Sequence, residues 1–421
     1  REELNPHSDI DLLFLHENGD EEGLANLASS ILYVLWDIGL DVGHSIRSVE
    51  GSLDLASADS TARTSLIDMR YLAGDKGLFD RFKARVFAEV YRKDVRAFVM
   101  EKIEERNKRY EKYGSSVYLL EPNIKEGEGG LRDIHTAHWI SKVAFEVERL
   151  WDLSGKGPLT PEAVKDIQEK RDFLWRVRNE LHFLSGRKND QITVDLKERI
   201  ARDLGYKDTR EFLGVERLMQ EYYRCASEIK QFTSEFIEGS IGHPRAGKGK
   251  KRIVNGCEIA GGILTVPEVK ILKKPALIMR AFQVAQSQGA EFSRGLRDII
   301  RKNHALIDGR FRSDPEVRQI FQEILRSGRA MEVLQRMHEL RFLGRFIPEF
   351  ERLSWRTQHD IYHVYTVDIH SLFVLGELEK LKRGDSQEEF PLLTQAAQLV
   401  GDYVSPVSYT HLRAHETVLD L

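Results

Sequence analysis

Two aspartates one residue apart, in His7-Ser8-Asp9-Ile10-Asp11-Leu12-Leu13, are the residues of this sequence best placed to do chemistry. In an extended chain residues i and i+2 face the same way, so Asp9 and Asp11 would present two carboxylates side by side at the start of a strand. Adjacent carboxylates repel unless a cation bridges them. Hard oxygen donors of this kind suit Mg2+, with Mn2+ as the alternative, bound together with substrate phosphates. The chemistry expected is metal-assisted nucleotidyl transfer, in which metal ions activate an attacking oxygen and neutralise charge on the leaving pyrophosphate. A D-x-D alone marks many polar strand starts; here an apolar strand, a helix and a second strand with a further acid follow it. That acid is Asp41, between Leu40 and Val42, read as the third carboxylate and candidate general base. Asp68 in TSLIDMR competes for the role, although its surroundings read equally well as a helix, where an acid is ordinarily solvated.

The elements that must position these groups follow from periodicity. Ile10 to Leu15 is a short apolar run bounded by polar residues, as a buried strand requires, and a helix from about Glu22 to Ile38 follows with Gly39 as its stop. Leu40 to Ile46 reads as a second strand, so the N-terminal segment is a compact α/β unit. From about Thr61 the pattern is overwhelmingly helical. Phe79, Phe82, Val86 and Val90, and again Leu174, Val177, Leu181 and Leu184, recur at three- and four-residue steps and mark core stripes. No repeat of solenoid length is visible.

Composition narrows the function classes. The 421 residues suggest about three domains at ~150 residues each. With 63 Lys+Arg against 67 Asp+Glu, net charge −4, the chain lacks the overall basic footprint of a DNA-binding protein. The apolar run Ile31 to Trp36 falls far short of the ~20 residues of a membrane span. Two cysteines without CxxC spacing leave no disulfide framework or cysteine zinc site, and a cytoplasmic location is expected.

Three further motifs carry charge. Glu121 to Asp133 (EPNIKEGEGGLRD) joins a Pro-Asn turn to a Gly-Gly pair opening a helix, a context in which Lys125 and Arg132 can meet nucleotide phosphate or a partner surface, or simply cap the loop. Arg187 and Lys188 in SGRKND read as solvated turn charges or as substrate contacts. In Gly239 to Arg252 (GSIGHPRAGKGKKR) four Gly, one Pro and five Lys/Arg in fourteen residues mark an exposed linker with a possible phosphate-binding role. His359, His363 and His370 are three of fourteen histidines. His359-Asp360-Ile361-Tyr362-His363 has the spacing of HExxH but an Asp in place of the Glu base and no third ligand, which argues against a zinc protease.

The strings NPHSDIDLLFL, WDIGLDVGHSIRS, TSLIDMRYLAGD, LEPNIKEGEGGLRDIHTAHWI, RNELHFLSGRKNDQITVDL, LGRFIPEF and QHDIYHVYTVDIHSL together resemble the bacterial PII protein uridylyltransferase / uridylyl-removing enzyme family, in order, over about residues 1 to 400. The resemblance implies an α+β fold: a polymerase-β-like nucleotidyltransferase α/β domain (1–75), an associated helical domain (76–240), a linker and helical region (241–350) and the truncated start of an all-α HD domain (351–400). It implies transfer of UMP from UTP to a tyrosine of the PII protein. Mg2+ is then held by Asp9 and Asp11, Asp41 joins them in catalysis, and Ser8, Lys125 and Arg132 bind the nucleotide. It also implies uridylyl removal by an HD domain whose first histidine ligand is His370, with His363 the second choice. Glutamine would act only through ACT domains beyond this sequence. A glycine-rich turn expected just before Arg1, and the His-Asp pair expected after Leu399, are not in the sequence. The chain therefore reads as an internal fragment, with 401–421 a non-native tail and no complete hydrolytic metal centre. A related adenylyl- or other nucleotidyltransferase, or a catalytically silent fragment that still binds PII, are the alternatives. Nucleotide base and oligomeric state are not legible.

Overall fold

The computed structural model describes residues 4–17, 21–114, 116–155, 159–210, 212–241, 251–354 and 366–400. It is mostly helical with two small sheets. In chain order the elements begin β1 (Ile10–His16), α1 (Glu21–Asp37), β2 (Val42–Ser48), α2 (Val49–Ala58), α3 (Ser60–Ile67), α4 (Lys76–Val86), α5 (Val95–Tyr113) and α6 (Leu131–Phe145). There follow α7 (Pro161–Ser185), α8 (Val194–Asp203), α9 (Gly214–Ile241), β3 (Arg252–Val254), β4 (Cys257–Ala260), β5 (Ile263–Thr265), α10 (Glu268–Lys273), α11 (Ala276–Gln288) and β6 (Glu291–Phe292). The last are α12 (Arg294–Lys302), α13 (Gly309–Ser313), α14 (Pro315–Arg326), α15 (Ala330–Glu339), α16 (Phe342–Phe346), α17 (Pro348–Leu353), α18 (Val367–Arg383) and α19 (Pro391–Leu399). None of the described helices is long and apolar enough to cross a membrane.

The chain forms two compact units. The first comprises residues 1–117, 121–207 and 222–242, so the α/β segment and the helices after it share one unit. β1 and β2 pair in parallel from Ile10↔Val42 to His16↔Ser48. Ile10, Leu12 and Phe14, with Val42 and Ile46, pack on Ala28, Leu32 and Leu35 of α1. On the opposite face Leu13 and Leu15 enter a larger core built from α2, α4, α5, α6 and the end of α9. The sheet is thus covered on both faces toward its C-terminal end, as parallel strands require. The expected helix and first strand fall where periodicity puts them. The second strand starts two residues later than expected, because Gly39 N–H donates to Trp36 O (2.8 Å) and Leu40 N–H to Leu35 O (3.1 Å), which keeps 38–40 in the turn that ends α1.

α7 is the long rod of this unit. Thr160 caps it by accepting from Ala163 N–H (3.2 Å), Pro161 opens it, and Gly186 ends it in the left-handed region at φ 60°. Its buried stripe contains the expected Leu174, Val177 and Leu181, but also Arg178 and His182.

The second unit comprises residues 118–120, 208–221 and 243–421, and its core runs from β4 to α18. Phe282 lies at its centre, its ring centroid 5.0 Å from Phe292 and 5.1 Å from Phe342. The buried Glu379 of α18 accepts from Ala330 N–H (2.5 Å), ending the orphan amides of α15. Where the sequence pattern suggested only linker and helices, a four-stranded sheet in the order β3-β4-β5-β6 is present. Two two-residue hairpin turns make it. Asn255-Gly256 (φ 49° and 87°) joins Val254 to Cys257, and Gly261-Gly262 (φ 57° and 80°) joins Ala260 to Ile263. Both residues of each turn have positive φ, the geometry that matches strand twist and selects Asn-Gly and Gly-Gly. The charged stretch 242–250, the second-choice ligand His363 with its neighbour His359, and the tail 401–421 lie outside the described residues.

A side chain at the second turn position should be costly. In Gly256→Ala the new Cβ would adopt the left-handed region and meet Leu277 Cδ2 at 3.1 Å. We expect a loss of about 1–2 kcal/mol, measured by urea unfolding; unchanged stability would show that the hairpin is not held in this geometry.

Candidate active site

The turn that precedes β1 is fastened to α7. Ser8 N–H donates to Asn5 O (3.0 Å) and the Ser8 hydroxyl accepts from Asn5 N–H (3.2 Å), closing the turn. Asn5 Nδ2 donates to Asn179 Oδ1 (2.6 Å), Arg178 Nη1 donates to Asn5 Oδ1, and His7 N–H donates to His182 Nδ1 (3.1 Å). The hydroxyl of Ser8, expected to bind nucleotide, is thus used in shaping the turn.

Asp9 and Asp11 emerge from this turn on the same face of the sheet, both exposed. The parallel register sets Asp11 opposite Gly43, and an ideal Cβ on Gly43 would lie only 2.8 Å from Asp11 Oδ1. Glycine there admits the Asp11 carboxylate, which a side chain at 43 would displace. Asp41 falls one residue before the ladder, where its carbonyl accepts from Ile10 N–H (2.9 Å); continuing the register places it level with Asp9. Among the described residues, no group of three or more His, Cys, Asp or Glu is gathered to hold a metal ion. The competitor Asp68 is elsewhere. It ends α3, accepts from the Trp139 indole (2.7 Å) and lies 3.5 Å from Lys142 Nζ, which ties α3 to α6.

Asp9 is not alone. Lys188 Nζ, from the loop after α7, meets Asp9 Oδ2 at 2.9 Å, and this hydrogen bond, aided by the charges of Lys188 and Lys125, holds the Asp9 carboxyl below its usual range. The loop is fixed beneath Lys188. Asp190 accepts from Arg178 Nε (2.6 Å), its carbonyl accepts from Ile124 N–H (2.8 Å), and Ile192 N–H donates to Pro122 O (3.0 Å). Arg178, 6% exposed, therefore joins the Asn5 turn, the 186–192 loop and, through Asp190, the 121–133 loop. Lys125 sits in the same neighbourhood. Burial, then the charges of Arg132 and Arg178, push its ammonium pKa down, against the opposing charges of Asp190 and Glu126.

The glycine loop does not present its backbone to an anion. The amides of Ile124 to Gly127 and of Gly129 to Asp133 all donate within the chain, several to Asn123 and one to the Asp133 carboxylate (Gly129 N–H, 2.8 Å). Asp133, fully buried, also binds Tyr110 Oη (2.7 Å) and Arg109. Gly129, at φ 72°, is required by contact: a Cβ would lie 2.0 Å from Ala226 O. Arg132 pairs with Glu126 (2.8 Å) and lies over the Trp139 ring, so its role here is structural first. The Lys125 side chain, mostly buried, lies 3.9 Å from Glu126 Oε1. Sequence reasoning did not anticipate Arg178 and Asp190. They lie in RNELHF and KND, but nothing in a linear pattern shows that they meet.

In the second unit, His370 lies in the first turn of α18, its amide donating to Thr366 O (2.8 Å). Two residues before it, the buried Asp368 meets His338 Nε2 at 3.3 Å.

Residues 97–237 match the family model described as GlnD PII-uridylyltransferase, and residues 258–346 match the uridylyltransferase GlnD third domain. The relative from Azospirillum brasilense, a bifunctional uridylyltransferase/uridylyl-removing enzyme, is 38% identical over 412 residues, 95% of this chain. The chain belongs to the GlnD PII-uridylyltransferase family. Like-named relatives from Cereibacter sphaeroides and Ruegeria pomeroyi are each 36% identical, over 99% and 93% of this chain. The chain spans 44–46% of the length of these relatives. No solved structure matches it. The first GlnD match contains the 121–133 loop, Arg178, Lys188 and Asp190, while β1 and β2 precede it. Residues 351–400, expected to begin an HD domain, lie beyond both matched segments.

The His182 ring makes the network pH-dependent. Burial and the adjacent Arg178 lower its pKa, and protonation of Nδ1 would break the bond from His7 N–H. Below about pH 6.5 the unfolded chain takes up a proton that the folded one resists, so stability should fall as pH drops through that value and recover as it rises. The melting temperature of His182→Gln should be less steeply pH-dependent than that of the parent between pH 5 and 7; parallel curves would remove His182 from the linkage.

Proposed function

We propose that this chain carries the nucleotidyl-transfer site of a PII uridylyltransferase, moving UMP from UTP to a tyrosine hydroxyl of the PII protein. The observation that supports it most is the exposed Asp9–Asp11 pair at the start of β1, with Gly43 admitting the Asp11 carboxylate and Lys188 at 2.9 Å from Asp9. Two exposed carboxylates suit a divalent ion, and the lysines nearby suit the phosphates that such an ion brings as its own ligands. Mg2+, or Mn2+, would be held by Asp9 and Asp11, and when bound it supplies charge neutralisation at the transferring phosphoryl group.

The chain's own residues do the rest. Asp41, level with Asp9 at the strand start, is the third acid and the candidate acceptor of the tyrosine proton. Lys125 and Lys188 supply positive charge where the triphosphate would lie. The Asn5 turn and Arg178 fix the carboxylates so that little reorganisation is needed on binding. The names of the relatives support UTP and PII as substrates, and no base-reading residue is assigned.

The test uses the longest reading frame that contains this chain, labelled UTP and a PII protein. Asp11→Asn should lower Mg2+-dependent labelling by at least ~100-fold, since several kcal/mol of transition-state stabilisation pass through the metal, while circular dichroism and melting stay unchanged because Asp11 is exposed. Near-normal labelling would refute the metal-ligand assignment. Labelling from ATP in preference to UTP would favour an adenylyl-transferring relative, and PII binding without labelling would favour a silent docking module.

A further inference from the structure

The Asp9–Lys188 contact joins residues 179 apart in sequence, and each partner is set by its own anchors. Asp9 follows the turn tied to Asn179 and His182, whereas Lys188 lies between Gly186, which ends α7, and Asp190, clamped by Arg178 and Ile124. Asn189 adds two more ties, donating to Ser185 Oγ (3.0 Å) and accepting from Gln191 N–H (3.0 Å). The backbones are therefore held while the two side chains remain 43% and 50% exposed. An ion pair this open is easily exchanged, since its attraction is screened by water. A divalent ion at the Asp9–Asp11 pair would compete directly with the Lys188 ammonium for Asp9 Oδ2.

We propose that Lys188 is a displaceable counterion: it neutralises Asp9 while the site is without ligand, and passes to a nucleotide phosphate when metal and nucleotide bind. The inference rests on the reading of Asp9 and Asp11 as metal ligands. It makes Lys188 a positioning residue for the nucleotide and couples the two ligands. A metal ion alone must evict the ammonium; a nucleotide removes that competition by offering the ammonium phosphate oxygens. Each ligand then favours the other, and by linkage the coupling is reciprocal. A lysine serves this role better than an arginine fork, because a point charge on a flexible stem can move between oxygens without losing a bidentate geometry.

Opposite signs for the two ligands distinguish this role from a structural one. In Lys188→Gln, with the full 421-residue chain, Mn2+ alone, followed by loss of the free-ion EPR signal, should bind roughly three- to tenfold more tightly, the size of removing one neighbouring unit charge from an exposed divalent site. UTP alone, in chelator and followed by calorimetry, should bind several-fold more weakly. Lys188→Arg keeps the charge and should stay near the parent for Mn2+. A variant that weakens both ligands, or leaves Mn2+ binding unchanged while Asp11→Asn abolishes it, overturns the inference and leaves the metal site standing. Mn2+ binding insensitive to Asp11→Asn would instead overturn the metal-site reading beneath it.

Discussion

The first unit is organised around one buried charge. Arg178, on the buried and mainly apolar stripe of α7, is taken out of water and must be matched. Asp190 matches its charge and Asn5 takes a further donor, while His182 lies 3.5 Å from the same Asp190 oxygen. Removing one partner of such a pair leaves an uncompensated buried charge, which typically costs 3–5 kcal/mol. A group this costly to leave unpaired specifies which segments must meet. Three segments far apart in sequence converge here: the turn before β1 and the loop after α7 each supply Arg178 with a partner, and the 121–133 loop is joined to the latter by backbone bonds, Ile124 N–H to Asp190 O and Ile192 N–H to Pro122 O. The candidate site forms where they converge.

The glycine-rich loop shows the same economy of backbone groups. Its glycines could have marked an anion cradle, yet its amides are consumed by Asn123, by neighbouring carbonyls and by Asp133. Gly129 is glycine because Ala226 O approaches where a Cβ would be. The loop is thereby a wedge whose amides are spent inside the protein. Buried backbone groups leave little choice here: once the loop packs against α9, each amide needs a partner within the protein.

Local patterns made part of this legible in the sequence. β1, α1 and the α7 stripe follow from periodicity, and Asp9 and Asp11 share a face because alternate strand residues do. The Asn255-Gly256 and Gly261-Gly262 turns also carried a clear hairpin signal, which the surrounding helical pattern obscured. The contacts of Arg178, Asp190 and Lys188 were not legible, since a pairing of polar residues more than 170 apart leaves no periodic trace, as for Asn5 with Arg178 and Asp9 with Lys188. Nor can a sequence show whether a glycine loop's amides are spent or free. Asp41 and Asp68 illustrate the boundary between the two cases. Both are acids beside apolar residues, but one ends up level with Asp9 at a strand start while the other closes a helix against Trp139.

The cation exchange proposed for Asp9, Asp11 and Lys188 needs two kinds of interaction, and their magnitudes must differ. The Arg178–Asp190 pair is buried, fully engaged and costly to break, so the backbone under the carboxylates stays fixed. The Lys188–Asp9 pair is half in water, where such contacts are worth about 0–1 kcal/mol, so an arriving ion of higher charge can replace it. Had the strengths been reversed, the site would be either blocked by its own lysine or too loose to hold two carboxylates on one face. Gly43 completes the arrangement from the other strand: any larger residue would press on the Asp11 carboxylate, 2.8 Å from where its Cβ would lie. The buried hub and the exposed pair are therefore complementary parts of one arrangement, in which rigidity below allows exchange above.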